Sequence, residues 1–231
     1  MSASVATFLL LHGAASSGWY WHLVEPLLAA VGHKTVAPDM PTDDPTADLD
    51  EYAATAVAAL DGHDDGYVVV AQSMAGFYAP LVAEATAADR LVLVAAMIPN
   101  PGERGRDWWT NTDQPTAQRA SFVELGLDPV DMDNPDVVYG HDIPPDVWVD
   151  ARHRTRDQSG RPFDDPCPIT SWPATPTHVL AARDDRLFPL EFQRRVASDR
   201  LGLGVEVIPG GHLPALSQPQ AVADALLRVA S

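Results

Sequence analysis

A serine, a histidine and a pair of aspartates are the residues of this sequence whose types and surroundings could do chemistry. Ser73 ends the apolar run Val68-Val69-Val70-Ala71-Gln72-Ser73-Met74-Ala75-Gly76, and a helix-forming segment, Phe77 to Ala88, follows. A serine on a tight strand-to-helix turn holds its hydroxyl clear of the backbone. The turn closes only if the residues two before and two after are small, here Ala71 and Ala75. The helix behind it would aim its N-terminal amides at an anion forming near the hydroxyl. A serine hydroxyl is a poor nucleophile until a base takes its proton. Downstream, Arg183-Asp184-Asp185-Arg186-Leu187-Phe188-Pro189 and Pro209-Gly210-Gly211-His212 carry further residues able to do chemistry, the Asp184/Asp185 pair and His212. Taken alone, the turn reads equally well as a serine capping a helix.

The elements that must position these groups alternate. Ala6 to Leu11 is a continuous apolar run, suited to a strand buried on both faces. It ends in the small-residue loop His12-Gly13-Ala14-Ala15-Ser16-Ser17-Gly18. Trp19 to Ala30 reads as a helix stopped by Gly32, and Lys34 to Ala37 as a short strand. Asp48-Leu49-Asp50-Glu51 has capping-box character and starts an Ala-rich helix to about Leu60. The polar turn Asp61 to Gly66 leads into the strand before Ser73. Pro80 predicts a kink in the following helix. Arg90 to Ala95, Thr177 to Ala182 and Val205 to Ile208 read as further strands. Helices are expected from Leu190 to about Arg200 and from Pro219 to near Val229. Strands alternating with helices predict a mostly parallel sheet covered on both faces, with functional loops at the carboxyl ends of its strands.

The texture changes between Ile98 and about Pro176, which is rich in Pro, Asp and Trp and weakly periodic. Trp108, Trp109, Trp148 and Trp172 fall here. A stretch this long without pattern is disordered or functional, and its aromatics argue for a lid over residues 98–176 of a single domain.

At 231 residues the chain is long enough for one sizeable core. Its 15 Lys and Arg against 32 Asp and Glu give a net charge of −17, which argues against a nucleic-acid or anionic-membrane partner. The lone Cys167, flanked by prolines, reads as structural and suits a reducing compartment. The N-terminus lacks a signal-like basic region, and no apolar run approaches transmembrane length, so a cytoplasmic location is expected. The Asp-rich stretches lack the clustered spacing of a metal loop.

The order Ser73, Asp185, His212 resembles the α/β-hydrolase superfamily, whose triads run in this order. The His12-Gly13 pair after the first strand is similar to its oxyanion loop. Asp185 to Pro189 and Gly210-Gly211-His212 look like its acid and histidine loops. The resemblance covers most of the chain except Ile98 to Pro176. Two departures stand out: Ala replaces Gly at both flanks of the serine turn, and almost nothing precedes the first strand. The implied fold is therefore an α/β-hydrolase fold with six parallel strands in the order 2-1-3-4-5-6, lacking the family's first two strands.

The resemblance also implies roles. Ser73 is the nucleophile, His212 the base, and Asp185 the group that orients the imidazole. The amides of Ala14 and Met74 bind the oxyanion. Asp184 is the rival acid, and Asp107 a third. Trp19, Trp21, Trp108, Trp109 and Trp148 are expected to form the substrate pocket. His12 is expected to structure its loop, His141 and His153 to be surface or pocket-lining, and His178 to lie in the core. No cofactor or metal is implied, and the partner is a small-molecule substrate. The expected activity is hydrolysis of a carboxylic ester of a small apolar molecule. The alternatives are a hydroxynitrile-lyase-like lyase, a thioesterase or lactonase, and a non-enzymatic ligand receptor on the same fold.

Overall fold

The computed structural model describes residues 5–63 and 66–230. Residues 64–65, at the tip of the polar turn expected over Asp61 to Gly66, lie outside the described residues. Six strands form one sheet: β1 (Ala6–Leu11), β2 (Lys34–Val36), β3 (Gly66–Gln72), β4 (Arg90–Val94), β5 (Thr177–Ala182) and β6 (Glu206–Ile208). Their order is β2-β1-β3-β4-β5-β6 and every pairing is parallel, as the alternating pattern and the resemblance predict.

The apolar runs are continuous because both faces are covered. Successive side chains on a strand point to opposite faces. Phe8, Leu10, Val68, Val70, Val92 and Val94 therefore pack on one side, against Trp21, Leu28, Val222 and Leu226. Leu9, Leu11, Val69, Ala71, Leu91 and Leu93 pack on the other, against Tyr52, Val82, Phe192 and Val196.

The helices are α1 (Glu25–Ala29), α2 (Leu49–Ala58), α3 (Ala79–Ala85), α4 (Gly105–Asn111), α5 (Gln114–Glu124), α6 (Pro135–Val138), α7 (Pro145–His153), α8 (Arg161–Asp164), α9 (Leu190–Leu201), α10 (Pro214–Ser217) and α11 (Pro219–Ala230). The capping box at α2 forms as expected: Asp48 Oδ1 accepts the Glu51 amide at 3.0 Å, and Glu51 Oε2 accepts the Asp48 amide at 3.0 Å. Among the described residues, no helix is long and apolar enough to cross a membrane.

Three expectations are corrected. The helix expected over Trp19 to Ala30 is a 3-10 turn, Gly18–Trp21, followed by α1, with Pro26 in the first turn of α1. A proline lacks the N–H that a continuous helix would need there, so the chain restarts. Likewise Pro80 does not kink a long helix. It sits in the first turn of α3, after a separate 3-10 turn over Ser73–Phe77. His178 is exposed on β5, not buried, because it precedes the part of the strand that α9 and β6 cover.

Residues 95–176, between β4 and β5, fold into five α-helices (α4–α8) and a 3-10 turn, Pro129–Asp133. A buried ion pair fastens the start of this segment to α9. Arg200 Nη2 lies 3.0 Å from Glu103 Oε1, and Arg200 Nη1 contacts Glu103 Oε2, with side-chain exposures of 8% and 4%. Burial opposes ionisation of Glu103. Hydrogen bonds from Arg200, Asn111 and the Asn100 amide outweigh it and hold the carboxyl below its usual range.

Candidate active site

The sheet brings the site together at its switch point. The helix after β1 packs on one face and the helix after β3 on the other, so the loops leaving these neighbouring strands diverge and leave a crevice. The β1–β3 register pairs Leu11 with Ala71, which sets Gly13 beside Ser73 two residues further on. A Cβ at Gly13 would collide with Oε1 of Gln72 and Cβ of Ser73, so only glycine allows this approach.

Ser73 follows β3 directly and has φ +52°, a left-handed backbone that a non-glycine residue adopts at a cost of about 1–3 kcal/mol. The turn is held by its surroundings. The Met97 amide donates to the Ser73 carbonyl at 2.9 Å, and a Cβ at Gly76 would run into the Met97 carbonyl. Ala71 and Ala75, the small residues expected to close the turn, are both fully buried. Gly76 is the position where the turn most needs a glycine, one residue beyond the motif.

Ser73 Oγ lies 3.0 Å from His212 Nε2, and His212 Nδ1 lies 2.8 Å from Asp185 Oδ2. The other oxygen of Asp185 accepts the amides of Leu187 and Phe188, each at 2.8 Å. The carboxylate is thus fixed before it meets the imidazole, and both residues are 3% exposed. Phe188 stands edge-on to the His212 ring at 4.9 Å. The histidine loop is tied down twice. Gln72 Nε2 donates to the His212 carbonyl at 3.0 Å, and the Gly211 amide donates to Asp142 Oδ2 at 2.6 Å.

Asp184 turns the other way. It pairs with Arg183 at 3.1 Å and accepts the Gly210 amide at 3.2 Å. Its burial opposes ionisation, but these bonds prevail and its pKa is lowered. Asp107 is exposed in the first turn of α4. The structure therefore assembles Ser73, His212 and Asp185, and leaves the two rival aspartates outside.

His12 accepts the Met40 amide at Nε2 (3.0 Å), so its Nδ1 carries the proton and donates to the Gly13 carbonyl at 2.8 Å. Burial pushes its pKa down to about 4, so the ring is neutral at pH 7. Cys167 is buried with its thiol donating to the Phe77 carbonyl, and burial raises its pKa to about 11. His153 is exposed, and His141 packs beside Gly211 rather than on the main cavity. Among the described residues, no group of three or more His, Cys, Asp or Glu side chains converges as metal ligands would.

A cavity of about 580 Å³ opens on Ser73 and His212 and is lined by Ala14, Met74, Trp19, Trp109 and Trp148. Trp21 and Trp108 are not part of it. Both are fully buried. In a 3-10 turn neighbouring side chains stand about 120° apart, so Trp19 reaches the cavity while Trp21 enters the core beneath the sheet. In α4 the step is about 100° per residue. Trp109 faces the cavity, whereas Trp108 packs on Phe188 and Phe192 and donates Nε1–H to the Ile98 carbonyl at 2.9 Å. Sequence reasoning missed Tyr20, Met97, Tyr139, Phe163, Leu187 and Leu216 as wall residues. Tyr20 was legible from its place one residue from Trp19. The others carry no local signal.

The chain belongs to the alpha/beta hydrolase family, whose model matches residues 8–225. A pyrethroid hydrolase of Sphingobium wenxiniae is 23% identical over 245 residues, spanning 96% of this chain and 87% of that protein. Methylesterase 1 of Arabidopsis thaliana is 22% identical, over 96% of this chain and 95% of that one. A pyrethroid hydrolase structure from Sphingobium faniae shares the fold with a TM-score of 0.77 at 22% identity, covering 98% of both chains.

Proposed function

We propose that this protein is a serine hydrolase that cleaves a carboxylic ester of a small, largely apolar molecule. The observation that carries the reading is the continuous hydrogen-bonded chain Ser73–His212–Asp185, opening onto a cavity walled by aromatic residues. Two relatives named as a hydrolase and a methylesterase, each aligned with nearly the whole chain, support it.

In the mechanism, His212 Nε2 takes the Ser73 proton as Oγ attacks the ester carbonyl carbon. Asp185, held by two backbone amides, keeps the imidazole in the tautomer that leaves Nε2 free to accept, and stabilises the cation that forms. The oxyanion is bound by the amides of Ala14 and Met74, each worth roughly 10²–10³ in rate. His212 then returns the proton to the departing alkoxide, leaving an acyl ester on Ser73. Water, deprotonated by the same histidine, attacks this ester, releases the acid and restores the serine. The stretch expected as a lid, residues 98–176, supplies much of the cavity wall and would act as its cap and select the substrate.

The test is turnover of a p-nitrophenyl ester series of increasing acyl length, with fluorophosphonate labelling of the protein. Wild type should turn over and take one label. A folded Ser73→Ala variant should lose about 10⁴–10⁶ in kcat and take none. Cyanide release from a cyanohydrin without ester turnover would make the protein a lyase. Saturable ligand binding with neither reaction would make it a receptor.

A further inference from the structure

The two proposed oxyanion donors are held by different means. The Met74 amide belongs to the serine turn, which β3 and the Met97 amide fix in place. The Ala14 amide lies in the loop after β1, which no strand ladder holds beyond Leu11. Its direction depends on the peptide planes around it.

Three successive planes in this loop are each pinned by one hydrogen bond. The 13–14 plane carries both the Gly13 carbonyl and the Ala14 N–H. In a trans peptide these point in opposite directions. The His12 ring binds the carbonyl at 2.8 Å and so directs the N–H away from itself. In the 14–15 plane, the Ala15 N–H donates to Gln158 Oε1 at 3.0 Å. In the 15–16 plane, the Ala15 carbonyl accepts the Arg156 amide at 3.0 Å. The bonds from Gln158 and Arg156 come from the short stretch after α7, 143 residues along the chain in the case of Gln158. They hold Ala15 at φ +54°, a left-handed conformation that alanine does not favour.

The Gln158 amide has one arrangement that satisfies its neighbours. Oε1 accepts Ala15 N–H, while Nε2 donates to the Tyr52 hydroxyl at 3.2 Å and the Ser159 carbonyl at 3.0 Å. A flipped amide would set NH₂ against N–H on one side and oxygen against a carbonyl on the other. The stretch itself is anchored independently: Ser159 N–H donates to the Thr42 carbonyl at 2.6 Å, and Arg156 pairs with Asp43 at 3.0 Å.

We propose that Gln158 is a positioning residue for the oxyanion hole. It fixes the 14–15 peptide and, together with His12 on the preceding plane, holds the Ala14 amide toward the carbonyl oxygen of the reacting ester. Gln158 does not line the cavity, so it acts on the transition state through Ala14 rather than by touching substrate. The inference rests on the serine-hydrolase reading and adds a residue from outside the sheet to its machinery.

The test compares Gln158→Leu and Gln158→Glu with wild type in ester turnover, in inhibition by a substrate-like boronic acid, and in thermal melting. Gln158→Leu keeps the bulk and removes the acceptor. Its kcat should fall by about 10- to 100-fold, below the 10²–10³ of a lost donor because the amide is loosened rather than removed. KM should stay within about twofold, and boronic-acid affinity should fall in parallel with kcat. Gln158→Glu keeps an oxygen for Ala15 N–H and lets the Tyr52 hydroxyl donate to the other, at the cost of setting that oxygen against the Ser159 carbonyl. Because the acceptor for Ala15 N–H is kept, it should recover part of the lost kcat, and it tests the idea even if the leucine variant does not fold. Three outcomes would overturn the proposal: Gln158→Leu within twofold of wild-type kcat, boronic-acid and substrate affinity falling together, or Gln158→Glu as impaired as a folded Gln158→Leu. A wild-type protein that neither turned over esters nor took a fluorophosphonate would instead overturn the serine-hydrolase reading, and this inference with it.

Discussion

The sheet and the segment between β4 and β5 build the same cavity by opposite rules. Ser73 follows β3 directly, Asp185 stands three residues past β5, and His212 four past β6. Strand ladders set where these residues leave the sheet, and backbone amides fix Ser73 and Asp185, while the His212 loop is also tied by the Gln72 and Asp142 side chains. The walls contributed by residues 105–164 sit on helices of four to eleven residues. Those helices and the loops between them are placed by scattered contacts, among them Trp108 on the Ile98 carbonyl, Trp148 on Asp136, and the Arg156 and Ser159 amides on the Ala15 and Thr42 carbonyls. A ladder tolerates the loss of a side chain. A wall made of scattered contacts does not. Apart from the Gln158 bond to the loop after β1, the chemistry should therefore resist most changes outside its own atoms, while cavity shape should respond to many.

The largest expected effect tests the sheet-borne half. Asp185→Asn should lower kcat by roughly 10⁴, because an amide facing Nδ1 favours the wrong imidazole tautomer. Asp184→Asn, whose partners are Arg183 and the Gly210 amide, should cost at most about tenfold. Steady-state kinetics on the two variants decide it, and reversed losses would move the acid by one residue.

The next test sets two tryptophans of the segment between β4 and β5 against each other. Trp108 is fully buried against Phe188 and Phe192, so Trp108→Ala should destabilise the fold by about 3–5 kcal/mol in urea melts. Trp148 lines the cavity, so Trp148→Ala should change the acyl-length profile several-fold with a smaller effect on stability. A Trp148→Ala variant with the wild-type profile would remove α7 from the wall.

The smallest effect concerns His12, where sheet and loop meet. Its folded pKa, about 4, lies below the unfolded value of about 6.5. The unfolded state binds the extra proton first as pH falls. His12 thus leaves stability intact above pH 6.5 and removes it progressively down to pH 4, by about 3 kcal/mol in all. Urea midpoints at pH 7 and pH 4.5 should differ less in His12→Gln than in wild type. An equal drop in both would dissociate this histidine from the acid sensitivity.

How much of this was legible follows the same division. Parallel strands buried on both faces must be apolar throughout, so Phe8–Leu11, Val68–Ala71 and Leu91–Val94 announce themselves. The order of Ser73, Asp185 and His212 along the chain then carries the resemblance. The segment between β4 and β5 offers no such handle. Its helices are too short for a stripe to repeat, so nothing local says that Trp108 turns inward while Trp109 faces the cavity. The helix restarts at Pro26 and Pro80 were visible as prolines, yet whether a proline kinks or begins a helix depends on the packing of the residues before it. Gln158 is one more polar residue in a polar stretch until Ala15 appears beside it in space.

The bond between Ser73 and His212 spans 139 residues, and that between Ala15 and Gln158 spans 143. Closing loops of that length is entropically slow compared with forming a helix or a neighbouring strand pair. During synthesis Ser73 emerges 139 residues before His212, the base proposed for it. A growing chain thus carries Ser73 without His212, and a serine without its base is inert. If Ser73 and His212 act as proposed, Ser73 can be activated only once β6 has paired with β5 and carried His212 to it.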